Sequence, residues 1–378
     1  MIRALVISHE LCLADVGVPC ATPAPWPTGP RRPVQGFTLP ELLVVIAIIS
    51  ILATAMMAGM ASVTQTAKED RTRTQIAKIH VLLMEKWESF QTRRMPVDSG
   101  LPAPAAAEIR LAMLRQTIQL EFPDRITDLL DVDPSVWGLP FCPLPGPPSL
   151  YQSYRNKVAS IWKHDWGSHA RNPQRIGDGA APPENWTYEH QGAECLFLIL
   201  SRLTVGDASA LEFFNESEIG DVDGDRMNEI LDAWGTPIRL LRWPIGFPSL
   251  AFANDPQPDP FDPLRVDCRY DTECAKVIYG SKFVTPFYVL PLIVSAGPDG
   301  KFEVAFGLGL DNAGNPIVNY WARPWIGRST ESPYLPDPFR FFSDDQDLSK
   351  EVGSFANEND DGIDNSLDNI HNHLLFAQ

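Results

Sequence analysis

Gly36-Phe37-Thr38-Leu39-Pro40-Glu41-Leu42-Leu43-Val44-Val45-Ile46-Ala47-Ile48-Ile49-Ser50-Ile51-Leu52 decides how the rest of the chain is read. From Leu42 onward the sequence stays uncharged until Lys68. A helix of about 20 predominantly apolar residues crosses a bilayer, so this stretch is long enough to do so. A conventional secretory signal fits less well, because its apolar core runs to only about 7–15 residues and its cut follows that core. Arg31 and Arg32 precede the span, and little basic charge follows before Lys68. The positive-inside rule therefore leaves the amino terminus in the cytoplasm and sends the remainder outward. Glu41 is an acid at the threshold of the span, where an unpaired carboxylate is costly and usually functional.

The pattern G-F-T-L-x-E ahead of an aliphatic helix, carried by Gly36, Phe37, Thr38, Leu39 and Glu41, resembles the class III signal of type IV prepilins and pseudopilins. The resemblance implies a membrane peptidase that cuts after Gly36 and methylates the new amino-terminal Phe37. Residues 1–36 are then a leader, and the apolar helix is retained. It also implies that Glu41 pairs with the freed amine of Phe37, in the same or a neighbouring subunit, and sets the register of an incoming subunit. From the residues alone a second role stays open, in which Glu41 snorkels to the interface or caps the helix. Pro40 departs from the leucine or isoleucine common at its position, yet proline fits the first turn of a helix. The leader is long for the family, so a start downstream of Met1 is an alternative.

With 378 residues the chain can bury a sizeable core, and its 44% hydrophobic content argues against wholesale disorder. Thirty-five prolines imply many rigid, irregular connections. The formal charge of -17 excludes a nucleic-acid binder, which needs a basic face, and suits an exported domain that binds divalent cations. Two of the 6 cysteines, Cys12 and Cys20, precede the expected cut. Cys142, Cys195, Cys268 and Cys274 remain, an even number compatible with two disulfides in an oxidising compartment or with free core thiols. Cys268 and Cys274 are close enough to close a small loop.

Residues 37–66 form the expected transmembrane and assembly helix, and 67–95 its continuation. Ile76, Ile79, Leu83, Trp87 and Phe90 recur at helical spacing and make one apolar stripe, ended by Met95-Pro96. Two helices broken near Thr64-Gln65-Thr66 are the alternative. The exported part, 96–378, begins with a linker and a second helix over 105–120. Residues 131–190, rich in proline, glycine and aromatics without clear period, read as an insertion of loops and short elements. Glu194 to Leu203 reads as a buried helix, and Thr236–Trp243 and Tyr288–Ser295 as strands, the second at an edge or bulge because of Pro291.

Asp221-Val222-Asp223-Gly224-Asp225-Arg226-Met227-Asn228-Glu229-Ile230-Leu231-Asp232 follows much of the calcium-loop pattern D-x-D-x-D-G-x5-E, with oxygens for a hard cation at Asp221, Asp223, Asp225, Glu229 and Asp232. Arg226 stands where the pattern has glycine, and Asp232 is shorter than the usual glutamate. A solvated acidic turn is the other reading. Trp234-Gly235-Thr236-Pro237, then Ser295-Ala296-Gly297-Pro298-Asp299-Gly300, then the acidic segment 355–378, look in this order like the major pseudopilin of type II secretion systems. That resemblance implies a structural calcium ion held by Asp299, Asp361, Asp364 and Asp368.

No phosphate-binding loop, nucleophile elbow or zinc-protease motif occurs. The pairs His164/His169 and His371/His373 read as surface residues. The expected fold is α+β and pilin-like: a long N-terminal α-helix, transmembrane in its first half, packed on a small antiparallel β-sheet with large loop-rich insertions. The expected role is that of a structural subunit, not an enzyme, in a type IV pilus-like filament or type II secretion pseudopilus. Its partners are then other pilin or pseudopilin subunits, the prepilin peptidase, the inner-membrane assembly platform and the membrane itself. It would sit in the inner membrane as a single-pass chain with its C-terminal domain outside. The alternative is an exported enzyme or binding protein that uses the helix only as a tether.

Overall fold

The computed structural model describes residues 37–130, 132, 134–161, 186–247, 257–279, 283–307, 322–324, 331–340, 352–355 and 368–376. The chain divides into two units, Met1–Gly59 and Met60–Gln378. A single helix, α1 (Leu39–Ser89), runs from the first into the second without a break at Thr64–Thr66.

α1 stops short of the expected Met95. The N–H groups of Phe90 and Gln91 turn back to the carbonyls of Trp87 and Glu88, tightening the last turn. Beyond it, Arg93 makes a two-pronged contact with Glu121 at 2.6 and 2.7 Å, joined there by Lys86 at 2.7 Å.

Within the second unit the stripe on α1 is buried as its spacing predicts: Ile76, Ile79, Leu83, Trp87 and Phe90 are all at most 1% exposed. Trp87 meets the rings of Phe122 and Phe261 edge-on, with centroids 5.4 and 5.3 Å away. At such separations aromatic pairs add to the burial energy. α2 (Ala103–Glu121) buries Leu111, Leu114 and Ile118 in the same core.

Within residues 131–190 one of the short elements is a helix. Ser149–Ile161 forms α3, with Tyr151, Tyr154 and Val158 buried at 3-4 spacing. The run of prolines and glycines before it masked a short period that begins only at Leu150. Residues 162–185, with His164 and His169, lie outside the described residues.

Every residue of α4 (Gln191–Leu200) is buried. It lies against strand β5 (Arg239–Leu241), and a Cβ on Gly192 would stand 2.8 Å from the Leu240 carbonyl oxygen, so only glycine permits that approach. β5 pairs antiparallel with β6 (Leu292–Ser295), and β6 with β9 (Ile370–His371). β6 is thus the middle strand, not an edge. Pro291 stays just outside the paired stretch, where its carbonyl accepts from Asn372 Nδ2 at 2.9 Å. Among the described residues, three two-stranded ladders complete the α+β, pilin-like architecture: β1 (Thr204–Val205) with β2 (Ala208–Ser209), β3 (Ile219–Gly220) with β4 (Glu229–Ile230), and β7 (Ala322–Pro324) with β8 (Glu331–Pro336).

Buried arginines fasten the irregular segments. Arg115 on α2 holds Asp267 at 2.8 Å and Asp259 at 3.3 Å, while Arg269 grips Asp267 and Asp337, each at 2.7 Å. Arg242, directly after β5, donates to Asp128 at 2.7 Å and to the Phe122 carbonyl at 2.8 Å, closing the carboxy end of α2. Such forks supply several charge-assisted bonds at once, which offsets the desolvation of the ions.

Cys268 and Cys274 form a disulfide, Cα atoms 5.5 Å apart, at the start of α5 (Thr272–Tyr279). Cys142 and Cys195 are buried free thiols, so the two-disulfide reading is not realised. They belong to different parts of the core, Cys142 accepting from Gln116 and Cys195 inside α4.

Candidate functional site

Gly36 and the leader lie outside the described residues, and Phe37 is 85% exposed. Thr38 is the residue before α1, and its carbonyl accepts the first helical bond from Leu42 N at 3.1 Å. Its own N–H and hydroxyl both donate to Glu41 Oε2 at 2.8 Å. Glu41 thus reaches back over the first turn and caps it from one side, accepting from the Thr38 amide and hydroxyl. A carboxylate offers about four acceptor sites, so capping leaves room for a cationic partner.

From Leu42 to Leu52 the large apolar side chains are exposed all round, between 45% and 67%. Ser50 and Thr54 return their hydroxyl protons to the carbonyls of Ile46 and Ile51, so neither demands water. A helix apolar on every side needs lipid or like helices around it. Among the described residues α1 is the one helix long and apolar enough to cross a membrane, with a mean hydropathy of 2.6 over its best window.

The turn Asp232-Ala233-Trp234-Gly235-Thr236 locks onto this helix. Thr72 Oγ1 accepts from Ala233 N, Gln75 Nε2 donates to the Leu231 carbonyl, and Trp234 Nε1 donates to Gln65 Oε1. Asp232 Oδ1 accepts from the amides of Trp234 and Thr236, both at 2.9 Å, while Oδ2 accepts from Ser295 Oγ at 2.7 Å. Asp232 therefore joins the W-G-x-P and S-x-G-x-D-G segments and stands apart from the acidic loop. The twelfth position of the calcium-loop pattern thus spends its oxygens on the turn and on Ser295.

Of the remaining acids, Asp221, Asp223 and Asp225 lie between β3 and β4, and Glu229 is the first residue of β4. Asp221 accepts from Gly224 N and Arg226 N, Asp225 from Met227 N, and Glu229 Oε2 from Val222 N. The turn that the calcium pattern asks of glycine is made by Arg226 at φ 78°, a strain of roughly 1–3 kcal/mol for such a residue. Trp186 and Thr187 strap the loop from outside: Thr187 donates to Asp223 and Asp225, and the Trp186 indole to Glu194 of α4. One oxygen each of Glu194, Asp223 and Glu229 falls within 4.8 Å of the others, as does one each of Asp221, Asp223 and Asp225. Burial pushes Glu194 up to about 10 and Glu229 up to about 8, and the neighbouring aspartates add to both shifts. Sequence reading passed over Glu194 because it sits in a buried apolar run; its one signal was being the sole acid in Cys195-Leu196-Phe197-Leu198-Ile199-Leu200's helix.

In the carboxy-terminal segment the structure brings Asp368 beside Asp299, where burial and then the Asp299 charge raise Asp368 above the ordinary carboxylate range. Gly297, at φ 69°, passes so close that a Cβ would lie 2.4 Å from the Asp368 carbonyl oxygen. Asp361 and Asp364 lie outside the described residues. His371 and His373 are not surface residues: both pack edge-on against Phe247 at 5.0 Å, and burial lowers them to about 4 and about 3.

Geometry and sequence at the amino end define a type IV prepilin-like signal on an apolar helix. The family model for the prokaryotic N-terminal methylation motif matches residues 31–57. That motif marks structural subunits rather than enzymes, processed by prepilin peptidase and assembled with other pilin-type subunits. No curated protein and no solved structure matches the chain.

Proposed function

We propose that this chain is a structural subunit of a type IV pilus-like filament or a type II secretion pseudopilus. In this reading it is cut after Gly36, methylated on Phe37, and assembled through residues 42–60. The observation that carries it is an apolar helix exposed on all sides directly behind a cleavage motif and an acidic cap. Between apolar helices already in lipid, association rests on close packing and on the few polar contacts available. Here that polar contact is the Glu41 carboxylate with the freed Phe37 amine of a neighbouring protomer, which turns a slippery contact into one register.

The topology is amino end in the cytoplasm and the second unit outside, favoured by Arg31 and Arg32 and by the Cys268–Cys274 disulfide, which suits an oxidising compartment. The carboxy-terminal acids Asp299 and Asp368, with Asp361 and Asp364, belong to the same reading as ligands of a structural calcium ion.

Two measurements test it. Intact mass and amino-terminal sequencing of the mature chain should show a methylated Phe37, and an uncut chain refutes the reading. Glu41→Leu should leave membrane insertion intact and abolish incorporation into filaments or secretion. Unchanged assembly would instead favour the tether alternative.

A further inference from the structure

We propose that Glu194, Asp223 and Glu229, with Asp225 beside them, form a divalent-cation site of the calcium class that ties α4 to the β3–β4 loop. This goes beyond the filament reading and does not depend on it.

The acidic loop alone would be an ordinary solvated turn. What sets it apart is the floor. Glu194 and Glu229 are both 0% exposed, and each keeps an Oε1 that no backbone amide, arginine, lysine or hydroxyl serves, the Asp225 carboxyl being the polar group that faces Glu194. The Trp186 indole serves only Glu194 Oε2, and the Val222 amide only Glu229 Oε2. Buried carboxyl oxygens left in this state are costly, and a proton or a metal ion is what relieves them.

The spacing favours the ion. Calcium takes oxygens at about 2.3–2.6 Å, so two of its ligands lie at most about 5 Å apart. One oxygen from each of the three acids meets that limit, all within 4.8 Å. Asp223 is exposed and opens the site to solvent, giving an ion a way in. Several protein carboxylates around one point suit calcium better than magnesium, which binds through one or two carboxylates and keeps its waters.

The competing arrangement is a shared proton between Glu194 and Asp225, whose carboxyls lie within hydrogen-bonding reach. The test uses the full mature chain in detergent, stripped with chelator and titrated with calcium chloride by calorimetry and thermal melting. Saturating calcium should raise Tm by at least about 5 °C, as binding to the folded state alone requires. Asp223→Asn and Glu194→Gln should each weaken binding by at least roughly tenfold, the loss that even outer-sphere substitutions cause. Should Glu194→Gln prevent folding, the exposed Asp223→Asn carries the test by itself. No calcium heat and no Tm change in the unaltered chain would overturn the proposal in favour of the shared proton. Calcium binding that survives Asp223→Asn at full affinity would overturn it too, by placing the ion elsewhere, such as at Asp299 and Asp368.

Discussion

Asp232→Ala should destabilise the second unit through the turn that grips α1, with no dependence on a metal. The substitution removes an acceptor used by two backbone amides and by the Ser295 hydroxyl, in a side chain only 5% exposed. Each such bond to a charged acceptor contributes about 1.5–3 kcal/mol, and the contributions overlap because the two amides share Oδ1. A loss of about 3–5 kcal/mol follows, or about 6–20 °C in Tm at the 2–4 °C per kcal/mol of larger domains. Asp232→Asn separates shape from charge: its Oδ1 still receives both amides, and its amide can donate to Ser295 Oγ. Burial already pushes Asp232 above the ordinary carboxylate range, so a neutral substitute should cost about 1 kcal/mol. Differential scanning calorimetry of both variants, with calcium and with chelator, measures this. The reasoning is refuted if Asp232→Ala melts like the parent in chelator and loses only a calcium-dependent increment, the signature of a ligand.

The Glu121 knot should give acid sensitivity of a defined sign. Burial works against its charge, but Arg93 and Lys86 outweigh it and hold Glu121 below the usual carboxylate range. That stability is present above about pH 4.3, the unfolded value, and is lost as pH falls through the folded one. Urea midpoints of Glu121→Gln should therefore match the parent's pH dependence less and less below pH 5, and parallel curves would count against the knot. Burial raises the Cys142 thiol to about 11 and pushes Cys195 well above the ordinary thiol value. Iodoacetamide at pH 8 should leave the native mature chain unlabelled, and denaturant without reductant should expose both. Labelling of all four cysteines would exclude the Cys268–Cys274 disulfide.

The signal, the span and the stripe from Ile76 to Phe90 were legible in the residues because each depends on local order. A cut motif is a string of neighbours, a membrane helix is a length of unbroken apolar chain, and a docking face is a 3-4 spacing. α4 could be read for the same reason. α3 is legible only as one of the short elements of 131–190 because its period starts behind a run of prolines, and β6 reads as an edge or bulge because Pro291 is counted inside the strand instead of just before it.

Contacts between distant segments had no such local mark. Arg242 looked like one more strand residue until its side chain met Asp128 and the end of α2. Asp232 fitted a loop pattern by position, yet Ser295 claims its carboxylate, while Glu194 falls beside Asp223 only because α4 backs onto β4. Local order therefore determined that this chain has a helix long and apolar enough to cross a membrane behind a prepilin-like signal. Which carboxylates share a site was decided by the tertiary fold alone, since a few ångströms between side chains far apart in the chain set whether charges meet.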